Sequence, residues 1–100
     1  MKITIQAPDI NVSQSLFNFI NRKLDKLHLV YDKIIRSEVF LKVNNTSEKE
    51  NKIVEVLLHI PGGQFVIKKE AATFEAAIDH GAHSLRRRLK RKKDKQRARD

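Results

Sequence analysis

The sequence predicts an α+β domain of order β-α-β-β-β-α, a four-stranded mixed sheet with two helices packed on one face. Three observations predict it. Four segments alternate apolar and polar residues, two repeat apolar residues at helical spacing, and cap or turn residues separate them. Each helix carries a single apolar stripe, so both should cover the same sheet face. The chain of 100 residues is long enough for one domain. Residues 1–95 are read as that domain and 96–100 as a basic, frayed C-terminal tail.

Lys2 to Gln6 is the first strand, with Ile3 and Ile5 on one side. Pro8 ends it, because proline cannot donate to a ladder. Ser13 is placed to cap the first helix, expected from about Ser13 to Leu29. Leu16, Ile20, Leu24, Leu27 and Tyr31 form its apolar stripe, flanked by Phe19, while Arg22, Lys23 and Lys26 lie on a shoulder.

Ile35 to Val43 is the second strand, with Ser37, Val39, Leu41 and Val43 alternating against Arg36, Glu38, Phe40 and Lys42. The polar stretch from Asn44 to Asn51 reads as a loop. Val54, Val56, Leu58 and Ile60 are the inward set of the third strand. Pro61-Gly62-Gly63 is a turn signal, since glycine reaches φ > 0 without a steric penalty. Gln64 to Glu70 completes the hairpin, with Phe65 and Ile67 on one face. The first helix joins two strands, so those two should be parallel through a right-handed crossover and the other pairs antiparallel.

Thr73 is placed to cap the second helix, with Glu75 near its positive end. Phe74, Ala77, Ile78, Gly81, Leu85 and Leu89 form its stripe. The next positions on that side are Arg88 and Lys92. A cation pressed on an apolar sheet carries a large penalty. The helix is therefore expected to outrun the sheet after about Leu89 and to project as a basic rod.

The charge follows the same division. The chain's net charge is +9, of which the segment from Arg86 to Asp100 carries +8 and the rest +1. Such a polycation predicts a polyanionic partner, nucleic acid first and an anionic membrane second. The membrane reading is the weaker, because the helix has no apolar face beyond Leu89 to bury among headgroups. Arg86, Arg87, Arg88, Arg91, Arg97 and Arg99 offer planar forks that grip phosphate with two bonds. Few aromatic residues are free of the core, which favours recognition of RNA shape and backbone over base reading.

Other classes are set aside on composition. Cysteine is absent, which removes disulfides, thiolate metal sites and cysteine nucleophiles. No apolar run is long enough to span a membrane, and the N-terminus lacks the apolar core of a signal peptide, so a cytoplasmic protein is expected. His80 and His83 stand three apart beside Asp79, but two histidines without a third ligand make a poor zinc site. No phosphate-binding glycine motif is present, and no nucleophile, base and orienting group come together. The expectation is a protein that is not an enzyme, with no cofactor, no metal and no small-molecule substrate.

These features together resemble the short form of the ribosome hibernation-promoting factor and ribosome-associated translation inhibitor family. The likeness runs from Ile3 to about Lys95. It is carried by Ile3-Thr4-Ile5, the capped helix with Leu16, Phe19, Lys23, Lys26 and Leu27, the strand Val39 to Val43, and Gly62-Gly63. The most specific stretch is Glu75 to Asp79, followed by Leu85, Arg87, Leu89, Arg91, Lys93 and Lys95.

The resemblance implies a fold similar to a double-stranded-RNA-binding domain with an extra strand. It implies binding to the small ribosomal subunit and its rRNA, in the channel used by mRNA and by tRNA at the A and P sites. Translation would be silenced sterically in idle or stationary-phase ribosomes. The family's contact residues map onto Lys23, Lys26, Arg87, Arg91 and Lys93. Arg86, Arg88, Lys90 and Lys92 join them on charge alone. Thr73 stands where relatives usually have Asp, Glu75 where they often have an aromatic residue, and Ser84 where many have Lys. The segment 96–100 is too short for the C-terminal domain by which long relatives pair ribosomes. A monomer off the ribosome is expected. A general RNA- or DNA-binding module is the alternative.

Overall fold

The structure, a computed structural model, describes residues 1–44 and 49–99, with side chains described through Lys95. The middle of the expected polar loop lies outside the described residues, as do the side chains of the expected tail, Arg97 and Arg99 included.

Strand β1 (Lys2–Gln6) is followed by α1 (Gln14–Asp25), a 3₁₀ turn over Lys26–Leu29, β2 (Arg36–Val43), β3 (Lys52–Ile60), β4 (Gly63–Ala71) and α2 (Phe74–Arg99). The sheet order is β1-β2-β3-β4. β1 pairs parallel to β2, as the helical crossover requires, with Ile3 opposite Ser37 and Ile5 opposite Val39. The remaining pairs are antiparallel, with Val39 opposite Val56 and Val56 opposite Ile67.

Strand alternation sets one sheet face against the helices. Val39, Leu41, Val54, Val56, Leu58 and Ile67 are buried there. Ile20 and Leu24 of α1 and Ile78, Leu85 and Leu89 of α2 close over them in one cluster. Each such side chain contributes roughly 1.5–3 kcal/mol of burial. Ser37 is a polar residue in this layer, fully buried, and its hydroxyl has no hydrogen-bond partner among the described residues.

Both helices begin where their cap residues stand. Ser13 Oγ accepts from the Leu16 amide at 3.1 Å, and Thr73 Oγ1 from the Ala76 amide at 3.1 Å. The first helix tightens to 3₁₀ at Lys26 instead of remaining α to Leu29. That tighter turn still buries Leu27 and leads to buried Tyr31. Gly62 supplies the positive φ, 82°, of the β3–β4 turn. Gly81 serves a different need: a Cβ there would lie 2.7 Å from Ile67 Cδ1, so α2 sits close on β4 because this residue has none.

α2 has 26 residues, about 39 Å at 1.5 Å per residue. The described chain measures 51 by 24 by 19 Å. The cations at Arg88 and Lys92 do not keep clear of the sheet as expected. Arg88 donates from Nη1 to the Val66 carbonyl of β4 at 3.1 Å. Lys92 is half-buried and borders a crevice with Phe65. Long cationic side chains lay their stems on apolar surface and keep the charge in water, so the penalty that argued against this contact is avoided.

Candidate nucleic-acid interface

α1 and α2 pack side by side, and an open groove of about 500 Å³ runs between them. Lys23 borders it from α1, Lys26 from the 3₁₀ turn that follows, and Arg86 and Arg87 from α2. Lys23 and Lys26 stand one residue before and two residues after buried Leu24. The other two stand one and two residues after buried Leu85. Burial of the stripes thus rotates the intervening cations outward on both helices.

Lys23 is the best-fixed of these cations. Its Nζ lies 5.5 Å from the centre of the Phe19 ring and 3.0 Å from Asp79 Oδ1. The ring face attracts the ammonium, and the carboxylate links it to α2. Arg22 stands over the same ring at 5.6 Å. The hydrogen bond and charge of Lys23 hold the Asp79 carboxyl below its ordinary value, with smaller help from His80 and His83. Asp79 is therefore ionised across the neutral range and offsets part of the groove's positive charge. His80, His83 and Ser84 complete the α2 wall.

The remaining candidates divide by helix geometry. Lys90 is exposed and follows Arg86 by four residues and Arg87 by three, so it extends the groove side by a turn. Lys93, half-buried, follows Lys90 by three. Arg88, Arg91 and Lys92 turn the other way, toward β4, where they border the crevice with Phe65 and Lys95. The seven candidates on α2 thus lie on two sides of that helix rather than on a single strip. Sequence reading passed over Phe65 and Lys95 as partners of that second group. A period of 3.6 applied to the basic run would have separated the two sides.

Among the described residues, no group of three or more His, Asp or Glu side chains is placed to hold a metal ion. No helix among them is long and apolar enough to cross a membrane. The arrangement can bind phosphate. Cations from two helices converge, guanidinium forks are exposed, and the carboxylate at the groove is already paired.

Residues 3–97 match the family described as Sigma 54 modulation protein / S30EA ribosomal protein. A ribosome hibernation promoting factor of Pseudomonas putida is 36% identical over 96 residues, which are 96% of this chain and 90% of that one. Its namesake in Escherichia coli K12 is 32% identical over 95 residues, 95% of this chain and 96% of the relative. The N-terminal domain of Thermus thermophilus Protein Y superposes with a TM-score of 0.79 at 23% identity, covering 91% of this chain and 98% of that domain. A ribosomal subunit interface protein from Coxiella burnetii gives a TM-score of 0.83 at 21% identity, covering 94% and 99%. These two likenesses bear on the fold, which is the same.

Proposed function

The chain belongs to the Sigma 54 modulation protein / S30EA ribosomal protein family, and from that premise we propose that it is a ribosome hibernation factor. It binds the small ribosomal subunit through rRNA, in the channel that mRNA and the A- and P-site tRNAs otherwise occupy. Occupancy and translation exclude each other, so idle and stationary-phase ribosomes are silenced without any bond being made or broken. The protein acts in the cytoplasm, associated with ribosomes, and is a monomer when free of them.

One observation carries this reading. Lys23 from α1, Lys26 from the 3₁₀ turn after it, and Arg86 and Arg87 from α2 border a single groove, and Lys90 and Lys93 extend its α2 side. A surface built from two helices presents charge in a fixed pattern to folded RNA, whereas a flexible tail would not. Neutralising about six phosphates would make affinity fall roughly a thousandfold between 50 and 200 mM salt.

Co-sedimentation with ribosomes and separated subunits through sucrose gradients, across a salt series, tests it. The expected result is saturable, stoichiometric binding to the small subunit at physiological salt. Charge reversal of Arg87, Arg91 and Lys93 should abolish it with little change in melting temperature. Comparable affinity for any duplex of equal length at matched salt would instead mark a general RNA- or DNA-binding module.

A further inference from the structure

α2 carries a second cationic surface. Between its outer side and β4 lies a crevice of about 320 Å³ bordered by Phe65, Arg88, Arg91, Lys92 and Lys95. Among the described residues, no carboxylate borders it. Phe65 belongs to the helix-facing side of β4 but stands at the strand's end. It packs on the core and remains partly open. Arg88 is anchored beside it through the Val66 carbonyl. Four cations thus surround the exposed part of one aromatic ring.

We propose that this crevice is a subsite for one unpaired nucleotide of RNA, whose base stacks on Phe65 and whose phosphate is held by Arg91, Lys92 and Lys95. Each part follows from the geometry. A base has an apolar face that stacks on an aromatic ring whatever its identity, and flanking cations follow the backbone. The anchored guanidinium of Arg88 is planar and can lie against a base edge or a second base face. The volume is at the small end of ligand pockets, which begin at about 300 Å³. It therefore suits a single nucleotide and not a duplex, whose bases are stacked inside the helix. The crevice is separate from the groove between α1 and α2, since Arg87 and Arg88 are adjacent in sequence but about 100° apart around the helix. The proposal deepens the function assigned above and rests on it, because the ligand is RNA.

The test uses the full chain, isotopically labelled, titrated with a short oligouridylate and with an abasic ribose-phosphate oligomer of equal length and charge. The expected result is about tenfold tighter binding of the base-bearing oligomer, within the range for one stacked base. Its amide shift changes should include Phe65, Val66, Arg91, Lys92 and Lys95. Phe65→Leu should lower oligouridylate affinity to that of the abasic oligomer and leave the latter unchanged, while Phe65→Tyr restores the difference. If Phe65→Leu fails to fold, the wild-type comparison of the two oligomers decides alone. Equal affinities for the two, or shifts confined to the groove between the helices, would overturn the subsite. Small-subunit co-sedimentation run in parallel separates the two readings. Wild-type protein that sediments with the subunit yet does not distinguish the oligomers removes the subsite alone, and protein that fails to sediment removes the function.

Discussion

Lys23 Nζ lies 3.0 Å from Asp79 Oδ1, so the carboxylate beside the groove between the helices neutralises one of the cations that border it. The pair joins α1 to α2 and at the same time lowers the charge of the surface they share.

Asp79→Asn should therefore strengthen polyanion binding. An exposed ion pair contributes about 0–1 kcal/mol to stability, so the melting temperature should fall by a few degrees at most. Freed Lys23 adds one phosphate contact, which steepens the dependence of log affinity on log salt by about 0.9. Fluorescence anisotropy with an RNA duplex across a salt series measures both. Weaker binding in the variant would show instead that Asp79 positions Lys23 for its contact.

The same pair gives a small pH dependence of defined sign. The native carboxyl titrates below its ordinary value because of Lys23. Its stabilising contribution is complete above the unfolded value, about 4, and is lost as pH falls through the native one. Urea unfolding of the wild type and of Asp79→Asn should differ slightly at pH 7 and converge in strong acid. A difference that persists at pH 2 would contradict this.

Ser37→Ala should stabilise the fold. The hydroxyl is fully buried opposite Leu58 and Ile3, with no partner among the described residues. An unsatisfied buried polar group costs about 1–3 kcal/mol. Removing it should raise the melting temperature by several degrees, read by circular dichroism. Destabilisation would mean that the hydroxyl has a partner, such as a bound water.

Gly81 sets two effects against each other. Alanine gains about 1 kcal/mol of helix propensity over glycine. Its methyl would press on Ile67 Cδ1, and overpacking costs about 1–3 kcal/mol. Ile67 Cδ1 ends a side chain and can shift, so Gly81→Ala should change stability by no more than about 1 kcal/mol. Gly81→Leu has no such escape and should lower stability by at least 2 kcal/mol. Chemical denaturation of both variants measures the contrast. A Leu variant as stable as wild type would show that α2 can lift from β4 without cost.

Much of the architecture was legible because periodicity is a local signal. Leu16, Ile20, Leu24 and Leu27 announce one buried stripe, and Val54, Val56, Leu58 and Ile60 announce a strand. The basic residues were legible as a charge run. Their division between two surfaces was not read, although helical spacing contains it. Two further features are tertiary and have no local signature. Lys23 meets Asp79 only because the two helices pack together. Lys92 stays half-buried beside Phe65 because a lysine stem can lie on apolar surface, a packing property that a hydrophobicity pattern scores as charge alone.

The bond from Arg88 to the Val66 carbonyl has a consequence beyond recognition. β4 is the last strand of its sheet, and Val66 is 48% exposed upon it. An open strand edge with an apolar side chain is a template on which another strand can pair. A guanidinium seated on one of the edge carbonyls removes an acceptor from that template and brings a full positive charge to it. Any incoming strand must first displace the arginine, and a second copy of the chain would bring its own cation to the same place. Replacement of Arg88 by a neutral, shorter side chain thus exposes β4 to edge-to-edge aggregation.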